Sequence, residues 1–507
     1  MMSVVRIVLA LILFANAGSK YVERDLDKVD ARWLAVASPA LSEQLDDLCD
    51  LRAKTHKVAV TRTDDIEAKF GKGVDGIAAF VKKVDPKFLL LVGDVDAVPT
   101  FVRKSDYLSD RFATDPDVAT DHLYGPPAGR FPARNAAELK VMVAKTVEYE
   151  TTLAGGRWEK KISMVMGEGN FGAMIDDILE RQLTTVVAGK IPPAYDLEAA
   201  YAKPTSKYCY FPPKFGSNAV RMLNEGALFY AYVGHGYRTG FDDVRYKDDL
   251  FPIFDEKAVK DVDVKAGLPI MVVIACSTGE YDSNGGDCIG ELLYKRARGP
   301  VAFIGGSRVT QPYGNGLFSH KLVERVFADG TRTLGEALWE AKAAVVAKDT
   351  SPLRLQADAI AASIQGPGAL EPMRKDVILQ YNLLGDPALK IRRPAGEIEL
   401  TARGFPGPGR TFFVTGAAKD GPVEVTFECP RDRFVHPTTL EGETAEEQLN
   451  RRYANANNKV VVRSPTASVN GRFETEIELP ESLKPGKYYL KAYTAGAIGA
   501  KEITIAE

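Results

Sequence analysis

The sequence predicts an α/β protein: two side-by-side α/β subdomains with mostly parallel sheets, followed by an immunoglobulin-like β-sandwich. Three observations predict it. Short apolar runs alternate with helix-length stretches across residues 32–387, the pattern of βαβ units. Two of these runs end in a reactive side chain: 227–233 leads into Gly234-His235-Gly236, and 269–275 into Cys276-Ser277-Thr278-Gly279. From Pro394 the texture changes to alternating β-formers between Gly- and Pro-rich turns, at the strand spacing of a sandwich.

At 507 residues the chain exceeds what one core organises, which sets the expectation of several domains. The boundaries read as a leader over 1–17, a first α/β subdomain over 18–150, a second over 151–393 and the sandwich over 394–507. The leader places Arg6 before the apolar run 7–14 and then Ala15-Asn16-Ala17, the small-x-small pattern of a signal-peptidase site. That run is too short to cross a bilayer, and no later run approaches spanning length. Export to the cell surface, periplasm or medium, with no membrane span after processing, is the expectation. With 45% hydrophobic and 26% charged residues the rest is ordinary globular composition. A net charge of −3 provides no footprint for nucleic acid.

The elements follow in order. Strands are predicted over 32–37, 57–61 and 88–94, with helices over 43–54 and 73–84 between them. A helix over 136–150 starts at Asn135, whose side chain with Glu138 forms an N-terminal cap, a structural role for that acid. The strand 161–166 runs into Gly167-Glu168-Gly169-Asn170-Phe171-Gly172, a GxGxxG in strand–turn–helix context. The stretch 184–190, where a dinucleotide site needs an acid for the ribose, holds no carboxylate, so these glycines read as a tight turn. After the two reactive strand ends come a helix over 290–298, a strand over 300–306, helices over 315–328 and 333–347, and a closing strand from Tyr381. The polar stretch 444–459 reads as a long surface loop.

Residues just past the carboxyl ends of neighbouring parallel strands project into one crevice. An imidazole and a thiol delivered there form the pair that nucleophilic cysteine catalysis needs. Cys276 is the candidate nucleophile and His235 its acid/base, with the backbone N–H groups of Gly236 and Cys276 as oxyanion donors. The bland alternative is a packed thiol and a turn histidine. His56, His122, His320 and His436 lack the apolar-run-then-glycine setting, and Cys288 opens a helix with no strand before it. Cys49, Cys209, Cys276, Cys288 and Cys429 are an odd number with no CxxC spacing, so an exported chain keeps at least one thiol unpaired. No GxSxG elbow occurs, which disfavours a serine hydrolase.

At these residues the chain resembles the gingipain-like family of the caspase–legumain–gingipain clan of cysteine peptidases. The resemblance rests on the His-Gly and Ala-Cys strand ends and on further stretches in the same order. These are 90–94 with Val98-Pro99-Thr100, Thr120-Asp121-His122-Leu123-Tyr124, Gly129-Arg130-Phe131-Pro132 with Lys145 and Tyr149-Glu150, Ile289-Gly290-Glu291-Leu292-Leu293, Gly305-Gly306-Ser307, and Leu384-Gly385-Asp386-Pro387. It spans 32–391 and implies caspase-like subdomains, catalytic roles for His235 and Cys276, polypeptide substrates, no required cofactor and, in some relatives, structural calcium.

Three departures stand out. Family members often orient the histidine with an acid before the Gly-Arg motif, yet Gly125-Pro126-Pro127-Ala128 holds none, which leaves Asp121 as a possible orienter. Tyr237 stands where a small residue is expected, and it either fills or narrows the cleft. Few residues separate Ala17 from the first strand, where well-known members carry a long inhibitory segment. Glu280 and Asp282 favour a basic substrate side chain, whereas Arg308 favours an acidic one. The leading expectation is an exported cysteine endopeptidase; the alternative is a catalytically weak or inactive relative serving as a binding or scaffolding module.

Overall fold

A computed structural model describes residues 19–109, 117–169, 188–434 and 442–506. The expected leader, 1–17, and Asn170-Phe171-Gly172 of the glycine-rich turn lie outside the described residues. Among the described residues no helix is long and apolar enough to cross a membrane.

Ten strands form one sheet. In chain order they are β1 (Trp33–Ala37), β2 (Val58–Arg62), β3 (Phe88–Val92), β4 (Ala128–Phe131), β5 (Lys161–Met166), β6 (Asp196–Tyr201), β7 (Phe229–Val233), β8 (Ile270–Ile274), β9 (Ala302–Gly306) and β10 (Tyr381–Leu384). Across the sheet the order is β2-β1-β3-β4-β10-β9-β8-β7-β5-β6. Every residue of β1, β3, β8, β9 and β10 is buried, as expected of strands covered on both faces.

The two expected subdomains are therefore fused through one sheet. The half β2-β1-β3-β4-β10 is internally parallel, as is the half β9-β8-β7-β5-β6. The halves meet at an antiparallel seam in which Phe303 lies opposite Leu384. β10 falls in the expected second subdomain by sequence, yet it completes the first half-sheet. Such partner choice is set by contacts far apart in the chain, and no local pattern encodes it.

A buried ion cluster clamps this arrangement. Arg52 forks onto both oxygens of Glu150 at 3.1 and 2.7 Å and donates through Nε to Asp386 at 2.6 Å. Trp33 Nε1 donates to the other Asp386 oxygen at 3.0 Å. The helix Ala136–Thr151 supplies Glu150 and starts as predicted, with Asn135 Oδ1 accepting the N–H groups of Ala137 and Glu138. Its Lys145 is fully buried and caps the end of helix Ile289–Tyr294 by donating to the carbonyls of Tyr294 and Arg296. Burial without a counter-ion pushes that ammonium down to about 7.

Beyond residue 394 two sheets, one of five strands and one of three, enclose a second core that includes Phe412, Phe427, Ile477, Tyr488 and Leu490. The stretch expected as a surface loop is the helix Ala445–Asn457. A capping box between Thr444 and Glu447 starts it, and Leu449, Tyr453 and Ala456 form a buried stripe at helical spacing. Its high polarity masks that stripe in the sequence. The stripe packs on β6, an edge strand the sequence pattern does not reveal. Asn457 bonds both backbone groups of Ala199, at 2.8 and 2.9 Å, so one amide stands in for a missing neighbouring strand. Lys491 ties the β-unit to the same strand through Asp196 at 2.9 Å. Asn457→Ala strands the N–H and C=O of Ala199, and urea denaturation is expected to show a loss of about 1–3 kcal/mol.

Candidate active site

β7 and β8 lie side by side and parallel, with Val233 opposite Ile274. The Gly234 N–H donates to Ile274 O at 3.2 Å, so the pairing continues one residue past the end of β7. His235 and Cys276 thus emerge at one corner of the sheet. Gly236 is required for the close approach: a Cβ there would lie 2.7 Å from Ala275 Cβ and 3.0 Å from Cys276 O. Any side chain after the histidine would push the two loops apart.

The thiol is held from the loop after β9. The Thr310 N–H donates to Cys276 Sγ at 3.3 Å, and the Thr310 carbonyl and hydroxyl lie at 3.7 and 3.8 Å. Thr310 is in turn fixed by Asn315 Nδ2 at 2.9 Å, and Asn315 by the Tyr381 hydroxyl at 2.8 Å. Ser277, beside the thiol, adopts φ +50°, a left-handed conformation rare outside glycine. Its N–H donates to Arg308 O at 3.0 Å, which helps hold that strained turn in place.

His235 Nε2 lies 2.6 Å from the carbonyl oxygen of Gly169, in the turn after β5. A carbonyl only accepts, so Nε2 carries the hydrogen and, in the neutral ring, Nδ1 holds the lone pair. Tyr232, buried in β7, donates its hydroxyl to His235 O at 2.7 Å and stacks on Phe241 with ring centres 4.1 Å apart. This fixes the loop as well as the ring. A phenol inside a buried strand needs a polar partner, which was the one sequence signal for this residue. Thr310, Asn315 and the Gly169 carbonyl left no such signal, because their roles arise from loops that converge only in the fold.

Asp121, the possible orienter, is committed elsewhere. Its two oxygens accept from Arg130 at 2.8 Å each, and Oδ1 also accepts from Thr100 at 2.8 Å. It neutralises a fully buried guanidinium, and the His235 ring donates from Nε2 to the Gly169 carbonyl. Tyr237 is 58% exposed, so it borders the cleft rather than filling it. Arg308 and Asp282 satisfy each other through two bonds of 2.8 and 2.7 Å. Glu280 is half-buried, and burial raises its carboxyl above the ordinary range despite the nearby positive charge of Arg308 and a bond from Ser277.

All five cysteines are free thiols, and Cys276 is partly exposed while the other four are buried. Burial raises the Cys209 thiol to about 12 and that of Cys288 well above its usual value, which makes both poor nucleophiles. Among the described residues no group of three or more His, Cys, Asp or Glu side chains is placed to hold a metal ion.

A mixed sheet of this design, with a thiol and an imidazole at adjoining strand ends, is the arrangement expected of a caspase-like fold. The profile of peptidase family C25 matches residues 27–392, most of the chain, and the protein belongs to that family. The chain is 23% identical to gingipain R2 of Porphyromonas gingivalis over 306 residues, which cover 57% of this chain and 38% of that protein. It is 22% identical to gingipain R1 of the same organism over 267 residues, 50% of this chain and 25% of that one. The chain thus spans well under half the length of these curated relatives. Among solved structures, the Arg-specific cysteine proteinase gingipain R (RgpB) aligns with a TM-score of 0.53 at 16% identity, covering 94% of this chain and 98% of that one. A structure described as a protease aligns with a TM-score of 0.53 at 18% identity, covering 95% and 98%.

Proposed function

We propose that the protein is an exported cysteine endopeptidase in which Cys276 is the nucleophile and His235 the acid/base. The observation that carries this reading is the partly exposed Cys276, its sulfur met by the Thr310 N–H at 3.3 Å, at the strand end adjoining that of a histidine whose Nε2 lies 2.6 Å from Gly169 O. The thiol proton passes to Nδ1 and sulfur attacks the scissile carbonyl carbon. The N–H groups of Gly236 and Cys276 receive the developing oxyanion. Collapse of the tetrahedral intermediate breaks the C–N bond, His235 protonates the leaving amine, and water hydrolyses the thioester. No step calls on a metal or cofactor. Export rests on the leader pattern at 1–17, and the eight-stranded C-terminal unit is read as an immunoglobulin-like sandwich.

The test is digestion of a mixed peptide library alongside alkylation mapped to individual cysteines. Rapid labelling at Cys276 with peptide turnover supports the reading. Failure of both would favour the scaffolding alternative.

Substrate preference follows from the charges near the thiol. With Asp282 and Arg308 paired, Glu280 is the acid left to meet a basic substrate side chain. Glu280→Gln is expected to lower kcat/KM for Arg and Lys substrates by about ten- to a hundredfold, the worth of one charge-assisted hydrogen bond. Turnover of leucine substrates should stay unchanged.

A further inference from the structure

We propose that Asp242 is a positioning residue that sets a negative charge beside His235 and so stabilises the imidazolium–thiolate form of the His235–Cys276 pair, an assignment that rests on the peptidase reading above. After His235 the chain forms a ribbon, Gly236–Tyr237 against Gly240–Phe241, and returns at Asp242 to where it began. The Asp242 N–H donates to the Tyr232 hydroxyl at 3.3 Å, and that hydroxyl donates to His235 O at 2.7 Å. One buried phenol therefore links the two backbones. The same packing appears at Gly167, where a Cβ would lie 3.5 Å from both Asp242 Cβ and Gly234 Cα.

The carboxylate is only half satisfied. Its Oδ1 accepts the Asp243 N–H at 2.9 Å, while Oδ2 is buried with no hydrogen-bond partner among the described residues. A buried carboxylate oxygen without a donor is costly unless a positive charge stands near. Burial raises the Asp242 carboxyl; the bond from the Asp243 N–H and, after it, the charge of His235 draw it back down. The neighbouring titratable groups are Asp243, which is exposed, the phenols of Tyr232 and Tyr237, and the Cys276 thiol. Two other acids around the corner have cationic partners, Asp121 with Arg130 and Asp282 with Arg308, while Glu280 has the neutral Ser277 side chain.

This arrangement supplies a negative charge that Gly125-Pro126-Pro127-Ala128 does not. When the thiol proton moves to Nδ1, an S–H bond breaks, an N–H bond forms and the ring becomes cationic. Asp242 stays ionised and exchanges no proton; its charge lowers the energy of the cation.

The test compares Asp242→Asn, Asp242→Glu and Asp243→Asn with wild type in the full chain. The readout is the rate of Cys276 alkylation by iodoacetamide against pH, located by peptide mapping, together with Tm at pH 8. For Asp242→Asn the alkylation profile is expected to move toward alkaline pH by about one unit, a tenfold slower reaction on the rising limb. Asp242→Glu should restore most of the rate, and Asp243→Asn should follow wild type. A carboxyl raised in the folded state carries a stability penalty when ionised, so the amide should hold or raise Tm at pH 8. An unmoved profile in Asp242→Asn, or an equal displacement in Asp243→Asn, overturns the proposal. A lower Tm with an unmoved profile assigns Asp242 a structural role and overturns it equally. Alkylation reads the thiol whether or not peptides are cut, so absence of turnover in wild type would sink the peptidase reading separately.

Discussion

Cys276→Ala is expected to lower peptide hydrolysis by at least about a thousandfold, because no other group at this corner can form the thioester. The fold should survive, since Cys276 lies past the end of β8 and is only partly buried. Near-wild-type Tm alongside lost activity separates a chemical role from a packing one. Substituting Cys288, which is buried at the start of helix Ile289–Tyr294, is the contrasting control: it should cost stability first. Selective alkylation should vanish in Cys276→Ala and persist in the control. Hydrolysis that continues in Cys276→Ala would refute the nucleophile.

Arg52→Met should be the most damaging single change to the fold. Its guanidinium is 3% exposed and neutralises Glu150 and Asp386, which are 1% and 0% exposed. Removing it leaves two buried carboxylates without their cation, and a loss of about 3–5 kcal/mol is expected. The loss has a pH signature. Without the cation each carboxyl binds a proton more tightly in the folded than in the unfolded chain. The deficit is therefore largest at neutral and alkaline pH, and it narrows as acid protonates the pair. Lys57→Met, which removes an exposed pair with Asp30, should change stability by less than about 1 kcal/mol. Urea midpoints for both variants at pH 5 and pH 8 test this. Equal losses at the two pH values would show that Arg52 acts by packing alone.

Local elements of the α/β unit were largely legible. The apolar runs over 88–94, 161–166 and 300–306 correspond to β3, β5 and β9, and the predicted helix over 73–84 spans Gly73–Val84. These segments are buried on both faces or amphipathic, so burial and local pattern agree. The stretch 444–459 misled because three apolar contacts among many charges read as solvent-facing. Edge strand β6 and the helices Pro352–Gln365 and Leu370–Gln380 went unassigned for a related reason: part of each faces water, and their patterns are mixed.

The candidate site divides along the same line. Histidine and cysteine at the ends of apolar runs could be picked out because strand ends deliver side chains to one crevice. The groups that tune them could not: Gly169 O reaches His235 across 66 residues, and Thr310 reaches Cys276 across 34. Asp121 looked available in the sequence, yet a buried arginine nine residues away took it.

The amino-acid order by itself determined most of the buried strands, about where they stop and which reactive side chains they present, since each depends on burial and backbone preference within a few residues. Tertiary structure alone decided that the two halves share one sheet, that Arg52 meets an acid 334 residues away, and which loops close around the thiol and imidazole. The physical reason is that a charge or a strand edge is satisfied by whatever group comes near it in space, and chain entropy sets no rule for how distant that group is in sequence.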